Sequence, residues 1–196
     1  MFSLYCGNSL DSSDNSVDSI VTDPPYELRP MGKKTLSRVR PLFSYYGGKQ
    51  RIATKILQHF PPHSVYVEPF AGGAALLFAK GVLPVTNSDH YREVLNDTNN
   101  LVHIVYKVAR EKPQEFERLV MYTPYGKQVH SDAIEICKNP SSYDELTVAW
   151  AFFVNINQSF SNKLSGGWRR GVCSENHAET WRCRRESIND TLQRLS

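Results

Sequence analysis

The chain of 196 residues is 40% hydrophobic and carries 23 Lys and Arg against 20 Asp and Glu, a formal net charge of +3. That length suits one domain, or one domain with a small insertion, and the apolar fraction is enough for an ordinary packed core. No run reaches the roughly 18 apolar residues of a membrane helix, and Met1-Phe2-Ser3-Leu4-Tyr5-Cys6-Gly7 has no charged-then-apolar leader, so neither membrane insertion nor secretion is expected.

Leu4-Tyr5-Cys6 reads as a short strand, and the Ser/Asp/Asn-rich stretch from Asn8 to Asn15 as a turn or frayed helix. Ser19-Ile20-Val21-Thr22 is a second short strand that runs into Asp23-Pro24-Pro25-Tyr26, where two prolines end it and fix the backbone. Residues 27–42 hold Arg29, Lys33, Lys34, Arg38 and Arg40 with two prolines and a glycine, a basic connector. Phe43-Ser44-Tyr45-Tyr46-Gly47-Gly48-Lys49 is a glycine turn with a lysine, and Gln50 to Phe60 has helical spacing with Ile52, Ile56, Leu57 and Phe60 on one face.

Val65-Tyr66-Val67-Glu68 alternates as a strand, Pro69 stops it, Gly72 and Gly73 permit a tight turn close to a ligand, and Ala74 to Lys80 reads as a helix. Strand, glycine turn and helix form the cofactor corner of a Rossmann-like sheet. A further strand, Val94-Leu95-Asn96-Asp97, places an acid about 24 residues beyond the glycine turn, near the spacing at which such folds hold a ribose. Together these point to a nucleoside cofactor; the P-loop lysine motif is missing, which disfavours ATP.

Helices are predicted over 101–110, 113–122, 131–138, 143–157 and 176–195, with Pro113 in a first turn and a glycine-rich basic loop over 163–170. The four cysteines, Cys6, Cys137, Cys173 and Cys183, form no Cys-x-x-Cys pair, which fits a reducing cytoplasm. No metal site is expected, because Cys173, His177 and Cys183 are irregularly spaced and lack an evident fourth ligand.

Asp23-Pro24-Pro25-Tyr26 carries the sharpest chemistry. An amine conjugated to an aromatic ring is a weak nucleophile. The Asp23 carboxylate and the rigid Pro24 carbonyl can each accept one of its N–H bonds, aiming the nitrogen lone pair at a methyl donor. Pro25 fixes the turn, and Tyr26 offers a ring on which a flipped base can stack. Late in the chain, Lys163, Arg169, Arg170, Arg182, Arg184 and Arg185 outnumber Glu175 and Glu179, with Trp168 and Trp181 interleaved. Such a cluster suits phosphate contacts and base readout, or else forms a solvated helix face over core tryptophans.

Residues 42–196 resemble the first part of Dam-like, adenine-specific DNA methyltransferases. The resemblance rests on Tyr45-Tyr46-Gly47-Gly48-Lys49, Val67-Glu68-Pro69-Phe70-Ala71-Gly72-Gly73, Asn96-Asp97 and Phe152-Phe153-Val154-Asn155-Ile156-Asn157-Gln158-Ser159-Phe160. It implies an α/β, Rossmann-like fold that binds S-adenosylmethionine: Tyr45 and Lys49 at the first glycine turn, Glu68 and the glycines around the methionine end, Asp97 on the ribose. It further implies a core over 1–111, a mainly helical target-recognition region over 112–196, double-stranded DNA as partner, and a cytoplasmic setting in a bacterial or phage-infected cell. The family usually has Trp where Tyr45 stands.

The motif order is unusual. Dam-like enzymes place Asp-Pro-Pro-Tyr after the recognition region, whereas residues 1–34 here resemble the opening of another amino-methyltransferase class, so the chain reads as a mosaic or permutation. Four strands are counted, an incomplete sheet for the family. Ser19 to Asp23 is expected to pair with the strand at 65–68, which would bring the motif to the cofactor corner, and to leave an open edge covered by a second copy or by the basic connector. The alternatives are a DNA-binding remnant without catalysis, or an RNA or protein-amide methyltransferase.

Overall fold

A computed structural model of the chain describes residues 2–6, 20–22, 39–80, 92–164, 166–169 and 176–195, with the first two segments described as backbone strands. Four strands, β1 (Phe2–Cys6), β2 (Ile20–Thr22), β3 (Val65–Glu68) and β4 (Arg92–Asp97), form one sheet in the order β2-β1-β4-β3. The helices are α1 (Ala53–Leu57), α2 (Ala75–Lys80), α3 (Asn100–Glu111), α4 (Pro113–Met121), α5 (Lys127–Lys138), α6 (Glu145–Gln158), α7 (His177–Glu186) and α8 (Ile188–Leu195). The fold is α/β, with β1, β4 and β3 mutually parallel. No helix among the described residues is long and apolar enough to cross a membrane.

Local chemistry accounts for the helix boundaries. Asn99 caps α3 by accepting from Leu101 N, Asp144 caps α6 by accepting from Thr147 N, and Asn176 caps α7 by accepting from Glu179 N. Pro113 sits in the first turn of α4, where its missing N–H costs nothing. The predicted 176–195 helix is two helices separated at Ser187, and α5 begins at Lys127, before the expected Ser131. Helix α6 is apolar nearly all round and runs through the core, burying Val148, Phe152, Phe153 and Ile156. Trp181 is buried against Phe153, ring centroids 5.8 Å apart, and its Nε1–H donates to the Thr123 carbonyl, so this tryptophan is a core residue and does not face a partner.

Four strands, the number expected, are present among the described residues, and the pairing of β2 differs from the expected one. β2 lies beside β1, antiparallel, with Phe2 opposite Thr22; it does not touch β3. Because β1 runs parallel to β4 with Cys6 opposite Asp97, Thr22 stands at the end of the sheet away from Asp97. A parallel return needs a crossover long enough for a helix, and residues 7–19 have no apolar helical face to supply one. Among the described residues the sheet has two edges, β2 and β3, and no strand from 98–196 joins it. Val65 and Val67 of β3 stay about half exposed, while Tyr66 and Glu68 turn inward.

Beneath the sheet lies a buried charge cluster. Lys80 Nζ bonds Glu93 Oε1 at 2.6 Å and Arg194 Nη2 bonds the same oxygen at 2.8 Å. Burial pushes the Glu93 carboxyl up, but the hydrogen bond and charge of Arg194 and the charge of Lys80 outweigh it and hold the group below its usual range. The cluster ties α2, β4 and α8 together. Replacing Glu93 with Ala strands buried cations and is expected to cost about 3–5 kcal/mol in denaturant unfolding; a midpoint equal to that of the wild type would show that the cluster contributes nothing.

Candidate functional site

Both glycine turns meet at the carboxyl ends of β3 and β4. The segment leading into the first turn is anchored by Phe43, which is fully buried and packs edge-on against Phe152, centroids 5.0 Å apart at 85°. That anchor sets the distance to the second turn. A Cβ on Gly73 would stand 2.6 Å from the Phe43 carbonyl oxygen, so the two backbones meet at a spacing only glycine allows. Gly72 adopts φ +46, the left-handed region, with the Tyr45 ring beside it.

The second turn is held from β4 and α3. Ala71 N donates to the Asn96 carbonyl at 2.8 Å, Gly72 N to Asp97 Oδ2 at 2.8 Å, and Asn96 Nδ2 to the Pro69 carbonyl at 2.8 Å. The Tyr106 hydroxyl, rooted in the core, donates to the Gly72 carbonyl at 3.2 Å. The other Asp97 oxygen accepts Asn99 N at 2.9 Å, and Asn99 Nδ2 reaches the Tyr45 hydroxyl at 3.4 Å. Each Asp97 oxygen thus accepts one backbone N–H and keeps a further lone pair for a ligand hydroxyl.

A cleft of about 330 Å³ opens over this junction. It is lined by Tyr45, Tyr46, Gly47, Gly48 and Lys49 from the first turn, by Glu68, Phe70, Gly72 and Gly73 from the second, and by Asp97. Of the residues expected at a cofactor, Pro69 alone is not in the lining. Its carbonyl serves the turn instead. Gln50, Thr98 and Asn99 also line the cleft; no periodicity marks them, although Asn99, a polar residue just before an apolar helix, carried an N-cap signal.

Glu68 is buried in the cleft wall. Its Oε1 accepts from the Tyr66 hydroxyl at 2.7 Å and from Leu77 N at 2.8 Å, which leaves Oε2 for a ligand. Burial pushes the carboxyl above its ordinary range, against the bonds from Tyr66 and Leu77 and the charges of Lys49 and Lys80. Two large exposed aromatics, Tyr46 and Phe70, complete the rim. Carboxylates, a lysine, close backbone and flat rings suit a ligand with hydroxyls, opposite charges and a planar base.

Of the other predicted residues that are described, Lys163 alone stands at the cleft rim. Asp23, Pro24, Pro25 and Tyr26 lie outside the described residues, as does Arg170. The late basic residues, expected as one cluster, are dispersed. Lys163 Nζ sits 4.7 Å from the centre of the Tyr46 ring, at the cleft rim. Arg169 Nη2 bonds Asn162 Oδ1 at 2.9 Å across a loop joined by the Ser159–Trp168 bridge. Arg182 pairs with Glu179 and Glu186 on its own helix, Arg185 bonds the Met121 carbonyl, and Arg184 turns inward to the Pro41 carbonyl. Missed by sequence reasoning was the buried polar network that supports the loop: His130 Nε2 lies 2.8 Å from Ser159 Oγ, and Gln158 joins Gly126 N to the Pro124 carbonyl.

Gly73→Ala places a methyl group against backbone that cannot yield. It is expected to destabilise the chain by about 1–3 kcal/mol and to open the cleft. Thermal unfolding of the variant at the wild-type midpoint would show that the two turns are not in forced contact.

No curated protein sequence matches the chain. The model of the D12 class N6 adenine-specific DNA methyltransferases matches residues 45–146, just over half the chain and the span that contains both glycine turns, β3, β4 and the whole lining of the cleft. With the geometry and the family match in agreement, the chain belongs to the D12 class N6 adenine-specific DNA methyltransferase family.

Proposed function

We propose that the chain transfers a methyl group from S-adenosylmethionine to the exocyclic N6 amine of adenine in double-stranded DNA. The observation that carries this reading is the single cleft in which the first glycine turn, Glu68, the Gly72-Gly73 turn and Asp97 converge. The donor fits that lining. Asp97 offers acceptors for ribose hydroxyls, Glu68 Oε2 an acceptor for the methionine ammonium, and Lys49 a cation for its carboxylate. The close approach that only Gly73 permits holds the two turns together as one wall of the cleft, and Tyr45, Tyr46 and Phe70 supply rings for the adenine. S-adenosylmethionine, when bound, supplies an electrophilic methyl group.

On this reading residues 1–111 form a Rossmann-like core and 112–196 a recognition region, with Lys163, Arg169, Arg170, Arg182, Arg184 and Arg185 as the basic residues nearest DNA. Asp23 and the Pro24 carbonyl accept the two N–H bonds of the target amine, Pro25 keeps that carbonyl rigid, and Tyr26 stacks on the flipped base. One observation favours a second reading. Antiparallel β2 carries Thr22 to the end of the sheet away from Asp97, which supports a motif that serves the cleft of a second copy, or a DNA-binding remnant in which it does not act.

Methyl transfer from labelled S-adenosylmethionine, measured on duplex DNA with RNA and protein substrates in parallel and beside a DNA gel shift, tests both. Transfer to DNA adenine that Asp23→Ala abolishes while retaining S-adenosylmethionine binding is the expected outcome. A gel shift with no transfer would leave the remnant. Activity regained on mixing Asp23→Ala with Asp97→Ala copies would place the motif in a partner chain.

A second prediction concerns pH. The Glu68 carboxyl is raised above its ordinary range, so as pH falls it takes up a proton while other glutamates are still ionised, and its attraction for an ammonium is lost. S-adenosylmethionine affinity measured by calorimetry is expected to be full at neutral pH and to fall early on acidification. Glu68→Gln should bind weakly throughout and flatten the profile; an unchanged profile in that variant removes Glu68 from the donor site.

A further inference from the structure

A second cleft, about 530 Å³, lies beside the first and shares Gln50 and Ala75 with it. Its wall brings together three arginines from distant parts of the sequence: Arg40 from the segment before the first glycine turn, Arg51 from the 3-10 turn Lys49–Arg51, and Arg184 from α7. Arg184 is the inner one. Its Nη1 donates to the Pro41 carbonyl at 2.8 Å and its Nη2 to Ser44 Oγ at 3.1 Å, both neutral acceptors. Among the described residues, none of the three arginines is in an ion pair.

That arrangement is unfavourable by itself. A charge withdrawn from water is stabilised by an opposite charge or by hydrogen bonds to ionised acceptors, and here it meets neutral oxygens and like charges. Burial, then the charges of Arg40 and Arg169, pushes the Arg184 guanidinium down to about 10. Arg182, on the outside of the same helix, is in the opposite situation, satisfied by Glu179 and Glu186. An anion would relieve the repulsion that Arg40 and Arg169 exert on Arg184, and the planar forks of arginine suit the paired oxygens of a phosphate.

We propose that the cleft formed by Arg40, Arg51 and Arg184 is an oxyanion subsite that holds a backbone phosphate of the DNA. The proposal rests on the DNA methyltransferase reading and adds to it a place on the chain where the duplex is gripped. Because this cleft adjoins the one assigned to the methyl donor, a phosphate held in it fixes the strand next to the point where its base is presented. Phosphate contacts set register and orientation and carry no base sequence themselves.

The test uses Arg40→Ala with Arg51→Ala in the full chain. Arg184 is left intact because it also ties down Pro41 and Ser44. In duplex DNA binding measured over a range of salt, the log–log slope is expected to fall by about 0.9 for the one phosphate that is no longer neutralised, with S-adenosylmethionine affinity by calorimetry unchanged. A slope and DNA affinity equal to those of the wild type would overturn the proposal. So would a variant with the wild-type DNA slope and weakened S-adenosylmethionine binding, which would give the cleft to the carboxylate of the donor. Titration with inorganic sulfate separates this proposal from the parent reading. A rise in melting temperature seen in the wild type and absent from the double variant supports an anion subsite even if methyl transfer fails, whereas an equal rise in both removes it.

Discussion

The Asp97 carboxylate holds the site together. It ends β4, accepts the N–H of Gly72 with one oxygen and that of Asn99 with the other, and so fixes the strand, the glycine turn and the start of α3 in one register. Charge-assisted bonds to backbone N–H are roughly twice as strong as neutral ones, and these hold a turn whose Gly72 is in the left-handed region. Tyr106, buried in α3, grips the same glycine from its carbonyl side. The floor of the cleft is therefore fixed by the core.

The core reaches that floor along a second route. Phe152 in α6 packs on Phe43, and the carbonyl of Phe43 meets Gly73 at a distance that no side chain would permit. Helix α6 runs on to Gln158 and Ser159, which carry the loop bearing Lys163 and Arg169. One buried helix thus sets both the cleft and the basic loop beside it. Rigid support of this kind suits a site whose two ligands must meet within bond-forming distance.

The charges are arranged in layers. Below the sheet, Glu93 gathers Lys80 and Arg194, and Lys80 also lies 4.6 Å from the centre of the Tyr66 ring. Tyr66 in turn donates to Glu68 in the cleft wall. Buried ion pairs of this type contribute little net stability while complete and cost much when broken. They link the last helix of the chain to the acid proposed to face the donor. On the outside of α7, Arg182 is neutralised by its own helix, and on the inside Arg184 is not.

Much of this was legible in the residues themselves. The strands at 65–68 and 94–97, the two glycine turns, Asp97, and most helices follow from local signals: β-branched alternation, 3.6-residue periodicity, and glycine where the chain has to turn. Nearly every residue expected at a cofactor lines one cleft, because the turns and strand ends that carry them are short and close in sequence. Other features depend on partners far along the chain. That β2 pairs antiparallel with β1 is set by strand neighbours and not by Ser19 to Thr22, which would suit any edge equally well. The basic tail read as one patch because charge was counted along the sequence, but the turn of a helix sends Arg182 outward to glutamates and Arg184 inward to Pro41. Arg40, Arg51 and Arg184 became one cleft only through packing across more than 130 residues of sequence. Periodicity and turn chemistry are local and can be read from the chain; strand order, and which charges face one another, are settled only when distant segments compete for the same surface.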